Sequence, residues 1–127
     1  MHHPQKVLLV EDNEDDQYIG RYVIKKQWPH AQIVVAKDGL HAIEVLEEAG
    51  MKPPDLILLD INMPRMDGHE FLAAWYGERG LHIPVVVILT SSEQAQDKQR
   101  TSQYSCVSDY LIKPLTQDNL ATMRWAS

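Results

Sequence analysis

LILLDINMPRMDG, residues 56–68, places four consecutive aliphatic side chains directly before an acid, Asp60. Unbroken apolar character, rather than alternation, is what a strand covered on both faces requires. Three further runs share it: VLLV at 7–10, IVVA at 33–36 and VVVILT at 85–90. A fifth run, DYLI at 109–112, is weaker. Between the runs, apolar residues return at helical spacing: Ile19, Tyr22 and Val23 within 14–27, and Leu40, Ile43, Val45 and Leu46 within 39–49. Phe71, Leu72 and Trp75 do so within 68–76, and Leu120, Met123 and Trp125 within 117–125. Residues 93–104 are a polar fourth helix with few apolar anchors. Asp67-Gly68-His69-Glu70 has the spacing of a capping box at the start of the third helix. Strand and helix thus alternate five times. Right-handed crossovers then predict a flavodoxin-like, doubly wound (βα)5 α/β fold with a five-stranded parallel sheet in the order 2-1-3-4-5. One domain fills residues 1–127, with its core at about 6–123.

Composition narrows the function. Hydrophobic residues are 44% and charged residues 24% of the 127, a soluble globular balance. Twelve basic residues against eighteen acids leave a net charge of −6, which argues against gripping nucleic acid or an anionic membrane. The longest apolar runs fall far short of the roughly 20 residues of a membrane span. The MHHPQK start has no apolar segment of a secretory leader, so a cytoplasmic chain is expected. Cys106 is the single cysteine and reads as a small buried side chain. His2, His3, His30, His41, His69 and His82 lack ligand spacing and read as surface or chain-end side chains. Trp28, Trp75 and Trp125 read as core or partly exposed helix residues.

Ligands of such sheets sit outside the carboxyl ends of the strands, where the strand order reverses. Glu11 and Asp12 follow the first strand, Asp60 closes the third, Thr90 closes the fourth, and Lys113 follows the fifth. Three carboxylates in one place repel each other unless a cation joins them, and a hard divalent ion such as Mg²⁺ suits oxygen ligands. With Mg²⁺ and Lys113 the formal charge closes to zero. Such a site can stabilise the equatorial oxygens of an in-line phosphoryl transfer onto a carboxylate, with Thr90 donating a hydrogen bond. Each residue also has a plainer use. Asp12 or Asn13 can cap the first helix, and Glu14 to Asp16 favour its dipole while pointing at water. Thr90 can cap the fourth helix, and a lysine before a proline is commonly a solvated residue. The joint placement at four strand ends is not a capping pattern.

The motifs VLLVEDNEDD (7–16), LILLDINMPRMDG (56–68), VVVILTSS (85–92) and YLIKPL (110–115), in this order, resemble a response-regulator receiver domain of two-component signalling, over about Lys6 to Met123. LTSS with YLIKPL is similar to single-domain regulators that stand beside phytochrome-type and hybrid kinases. The resemblance implies that Asp60 accepts a phosphoryl group from a histidine kinase or phosphotransfer protein. It implies Mg²⁺ held by Asp12, Asp60 and the Asn62 carbonyl, with Glu11 acting through a metal-bound water. Thr90 and Lys113 would bind the phosphoryl group, and Lys113-Pro114 would be cis. Thr90 and Tyr110 would form the switch, with Tyr110 moving from an exposed to a buried position. The face that changes would be Gln94 to Tyr104, Tyr110, and Gln117 to Trp125, with Trp125 as its apolar anchor for an unknown downstream protein or a second copy of the chain. Where the family commonly carries Gly-Ala before the fifth strand, this chain has Cys106-Val107, so the left-handed cap glycine is absent.

Other functions fit less well. A flavin-binding electron carrier on this fold needs a phosphate-cradling loop after the first strand, and EDNEDD would repel phosphate. A haloacid-dehalogenase-like phosphatase wants a second aspartate where Asn62 stands, so no enzyme with a separate substrate is expected beyond loss of the chain's own phosphate. A pseudo-receiver that binds partners without phosphorylation is disfavoured because every site residue is present. With the chain ending at Ser127, output through a partner is expected.

Overall fold

The computed structural model describes residues 3–48, 52–63, 65–77, 84–91 and 99–125. Five parallel strands form one sheet in the order β2-β1-β3-β4-β5: β1 (Lys6–Val10), β2 (Gln32–Ala36), β3 (Leu56–Asp60), β4 (Val85–Thr90) and β5 (Val107–Ile112). The helices whose two ends both lie among the described residues are α1 (Glu14–Gln27), α2 (Gly39–Glu47), α3 (Gly68–Leu72) and α4 (Gln117–Thr122), the last being the fifth helix of the sequence pattern. The doubly wound fold and its strand order are as the sequence predicts.

Unbroken apolar runs feed two cores because successive strand residues point to opposite faces. Leu8, Val10, Ile57, Leu59, Val86 and Ile88 meet Phe71 and Ala42 on one face. Val7, Leu9, Leu56, Leu58, Val87 and Leu89 meet Ile24 and Leu120 on the other. β5 and β2 are the two edge strands, and both are only half-buried for most of their length. The weak DYLI run fits that position, whereas IVVA, expected to be covered on both faces, is fully buried only at Ala36.

Several local expectations are corrected. α1 turns Gly20 and Ile24 inward, leaving Ile19 38% and Tyr22 57% exposed. A Cβ at Gly20 would lie 2.8 Å from Leu9 Cδ2, so the backbone itself approaches the sheet there and sets the helix rotation. Leu40 is likewise exposed, while Ala42 is buried. The third helix keeps its capping box, with Asp67 and Glu70 bonded reciprocally, but widens into a π-turn at Ala73–Gly77. Tyr76 is buried there and donates its hydroxyl to the Pro84 carbonyl at 2.7 Å. His69 is buried in α3 rather than exposed.

Most of the predicted fourth helix, including Gln94, lies outside the described residues, as does His82; residues 99–101 are helical. That turn ends without a left-handed cap, since no described non-glycine residue has positive φ. Instead the amides of Tyr104 and Val107 bond back to the Thr101 and Tyr104 carbonyls. The last helix stops at Thr122, and Met123 is extended with ψ 151°. The Arg124 amide donates to Asp109 Oδ2 at 2.8 Å, and Ser108 Oγ donates to the Arg124 carbonyl. Trp125 therefore is no exposed anchor on a helix. It is half-buried and meets Trp28 edge-on, with ring centroids 6.4 Å apart. Among the described residues no helix is long and apolar enough to cross a membrane.

Asp38 joins α2 to the loop between β3 and α3. Its Oδ1 accepts from the His41 amide at 2.8 Å as the helix N-cap, and its Oδ2 from Arg65 Nε at 2.7 Å. The Arg65 hydrogen bond holds the Asp38 carboxyl below its ordinary range, and the His41 amide adds to this against burial. A depressed acid contributes stability above its unfolded pKa, about 3.9, and loses it as pH falls through the folded value. Asp38→Ala is expected to cost about 0.5–2 kcal/mol at pH 7, the range for a lost cap. Urea denaturation of both proteins checks this, and the gap between them should narrow as pH falls below about 4. A gap that widens towards low pH would contradict the assignment.

Candidate metal and phosphoryl site

The parallel sheet sets the carboxyl ends of β1, β3 and β4 side by side, and the residues just beyond them inherit that alignment. Pairing continues one residue past β1, where the Glu11 amide donates to the Ala36 carbonyl at 2.9 Å. Glu11 is consequently 1% exposed, with Oε2 accepting from the Asn13 amide at 3.1 Å. Asn13, not Asp12, caps α1: its Oδ1 accepts from the Asp16 amide at 3.0 Å. Asp12 is exposed at the mouth. Asp60 pairs with Leu89 at the end of β3, is 2% exposed, and accepts the Asn62 amide on Oδ1 at 3.2 Å. Carboxylate oxygens of Glu11, Asp12 and Asp60 all lie within 4.8 Å of one another.

Lys113 enters from the far edge. Its amide donates to the Thr90 carbonyl at 2.8 Å, and the following Lys113-Pro114 bond is cis, as expected. Lys113 Nζ donates to Glu11 Oε1 at 2.8 Å, Asp16 Oδ2 at 3.1 Å and Asp60 Oδ2 at 3.2 Å. Burial pushes the lysine pKa down. The Glu11 hydrogen bond, the Asp60 charge and the Asp16 hydrogen bond together push it further up, so it stays charged. Burial, eased by the Lys113 hydrogen bond and worsened by the Asp60 charge, raises Glu11 to about 7. The cluster is therefore short of positive charge. An all-oxygen, partly buried donor set in need of charge fits a hard divalent cation.

Thr90 closes β4 opposite Ile112 and is buried. Tyr110 is half-buried rather than exposed, and its hydroxyl accepts from Oγ1 of the buried Thr101 at 2.8 Å. Cys106 is buried as read, its thiol pKa pushed up to about 12 by burial. One residue of the site was misassigned from the sequence. Asp16 does not simply face water but pairs with Lys113, and its only local signal was a spacing of four from Asp12. With Asp16 counted, the four acids and Lys113 sum to −3, and a divalent cation leaves −1 rather than zero.

Residues 7–124 match the family model described as the response regulator receiver domain. The response regulator Rcp1 of Synechocystis sp. is 35% identical over 125 residues, covering 94% of this chain and 84% of that protein. Among solved structures, the phosphorylated cyanobacterial phytochrome response regulator RcpA superposes with a TM-score of 0.78 at 31% identity, over 93% of this chain and 86% of that one. The Mn²⁺-bound form of Rcp1 does so with a TM-score of 0.76 at 33% identity, over 92% and 86%.

Proposed function

We propose that this chain, which belongs to the response regulator receiver domain family, accepts a phosphoryl group from a histidine kinase or phosphotransfer protein on Asp60 and so acts as a cytoplasmic signalling switch. Receiver domains take their signal from histidine kinases. The observation that carries the reading is Lys113 Nζ at 3.2 Å from Asp60 Oδ2, with the Glu11 and Asp12 oxygens gathered on the same carboxylate. An Asp60 oxygen forms the new bond to phosphorus as the bond to the donor nitrogen breaks, and the electron pair returns to the imidazole, which takes up a proton. Lys113 offers its ammonium to the phosphoryl oxygens, and the Thr90 hydroxyl donates to another. Asp12, Asp60 and the Asn62 carbonyl, with Glu11 behind them, would hold Mg²⁺, which supplies charge for those oxygens. Rcp1 has been solved with Mn²⁺ and RcpA phosphorylated, which supports both parts of the reading.

Output is assigned to the face made by residues 99–104, Tyr110 and α4. Drawing Thr90 towards the phosphoryl group opens space beside β4, and the half-buried Tyr110 ring moves further in to fill it. Its hydroxyl contact with Thr101 carries that motion to the preceding helical turn. A downstream protein or a second copy of the chain would read the changed face. The test is acetyl phosphate with and without Mg²⁺, followed by intact mass. One added phosphoryl group that requires Mg²⁺ is the expected result. An unchanged mass under both conditions would favour a pseudo-receiver that works without phosphate.

A further inference from the structure

Lys113 has three N–H donors and three carboxylates that take them: Glu11, Asp16 and Asp60. Glu11 and Asp60 are closed off from solvent, whereas the Asp16 side chain is 34% exposed. Its backbone is held in the first turn of α1 by the Asn13 cap. Asp16 therefore stands at the mouth, with one oxygen 3.1 Å from the ammonium that an incoming phosphoryl group needs. We infer that Asp16 is a positioning residue of the phosphoryl site, holding Lys113 towards the mouth and selecting against the more negative of two small phosphodonors.

The inference rests on Asp60 being the acceptor. A divalent cation together with Lys113 would neutralise Glu11, Asp12 and Asp60, so Asp16 would supply the uncompensated unit of charge, where a donor must enter. A dianion such as acetyl phosphate feels that charge about twice as strongly as a monoanion such as phosphoramidate. Asp16 also competes for the lysine. Lys113 can move onto a phosphoryl oxygen only as one of its three hydrogen bonds lengthens, and the bond to Asp16 is the one nearest solvent.

The experiment compares second-order phosphorylation rates with both donors, at low and high salt, for the native chain, Asp16→Asn, Asp16→Ser and Asp16→Glu. Both neutral variants should react roughly three- to tenfold faster with acetyl phosphate at low salt. The gain with phosphoramidate should be smaller, about threefold at most. Asp16→Glu should stay within about twofold of the native rate, and the differences should collapse in high salt, where exposed charges are screened. Helix destabilisation alone would not change the ratio between donors. An unchanged donor ratio in the neutral variants, or slower reaction with both donors, would overturn the inference. A native chain that takes phosphate from neither donor would instead bring down the assignment of Asp60.

Discussion

Asp60→Asn is expected to abolish phosphoryl acceptance and, at the same time, to stabilise the metal-free chain. The first effect follows from chemistry, because an amide oxygen is not the nucleophile that a carboxylate is. The second follows from the crowding of acids. Asp60 is 2% exposed, sits with Glu11 and Asp12 within 4.8 Å, and its charge helps to raise Glu11 to about 7. Removing it leaves Lys113 paired with Glu11 and Asp16, so two acids share the ammonium rather than three. The gain is on the order of 1 kcal/mol, since the lost repulsion is partly offset by the lost Lys113 contact. Urea denaturation at pH 8 with a chelator should show the variant as the more stable protein. Saturating Mg²⁺ should shrink or reverse the difference, because the native chain alone keeps the Asp60 carboxylate as a ligand. Labelling of the variant at the native rate would remove Asp60 from its role, and a less stable metal-free variant would refute the charge argument.

Gly68→Ala and Gly39→Ala should each destabilise the fold by about 1–3 kcal/mol, the range for forcing atoms into packed space. The obstacle at Gly68 is backbone. A Cβ there would stand 2.9 Å from the Asp60 carbonyl oxygen and 2.9 Å from Ile61 Cα. Those neighbours belong to the acceptor strand, and the Gly68 amide also donates to the Ile61 carbonyl at 2.9 Å. Relief of the clash must move either α3 or the residue that carries the chemistry, so Gly68→Ala should slow phosphorylation as well as weaken the fold. At Gly39 the Cβ would meet the Met66 carbonyl at 2.6 Å, the group that accepts the Gly39 amide. Gly77 is the internal control, for its nearest contact would be 3.8 Å from Tyr104. Gly77→Ala should be neutral or stabilising by up to about 1 kcal/mol, through loss of unfolded-state entropy. Denaturation midpoints of the three variants decide the matter. Three equal midpoints would mean that the close approaches at Gly39 and Gly68 do not limit the side chain there.

Lys113 to Asp16 spans 97 positions of the chain, and that separation marks the boundary of what could be read in advance. LILLD, VLLV and VVVILT announced buried strands because burial on both faces is written into consecutive side chains. The capping box of α3 was equally legible, since its partners are three residues apart. Once the strands alternate with helices, crossover handedness leaves few topologies, and the strand ends bring Glu11, Asp12 and Asp60 together. The rotation of α1 was not legible, because it depends on Gly20 touching Leu9 rather than on the helix's own periodicity. Nor was the end of α4, where side chains of Ser108 and Asp109 capture Arg124. Tyr110 could be named as a ring beside the site, but its Thr101 partner comes from a different element. Local pattern settled the strands and the acids at their ends, and crossover handedness narrowed the order of the sheet. Three-dimensional packing alone assigned the hydrogen-bond partners of Lys113 and Tyr110. Apolar runs and caps act over a few residues, whereas those partners depend on where distant backbones come to rest.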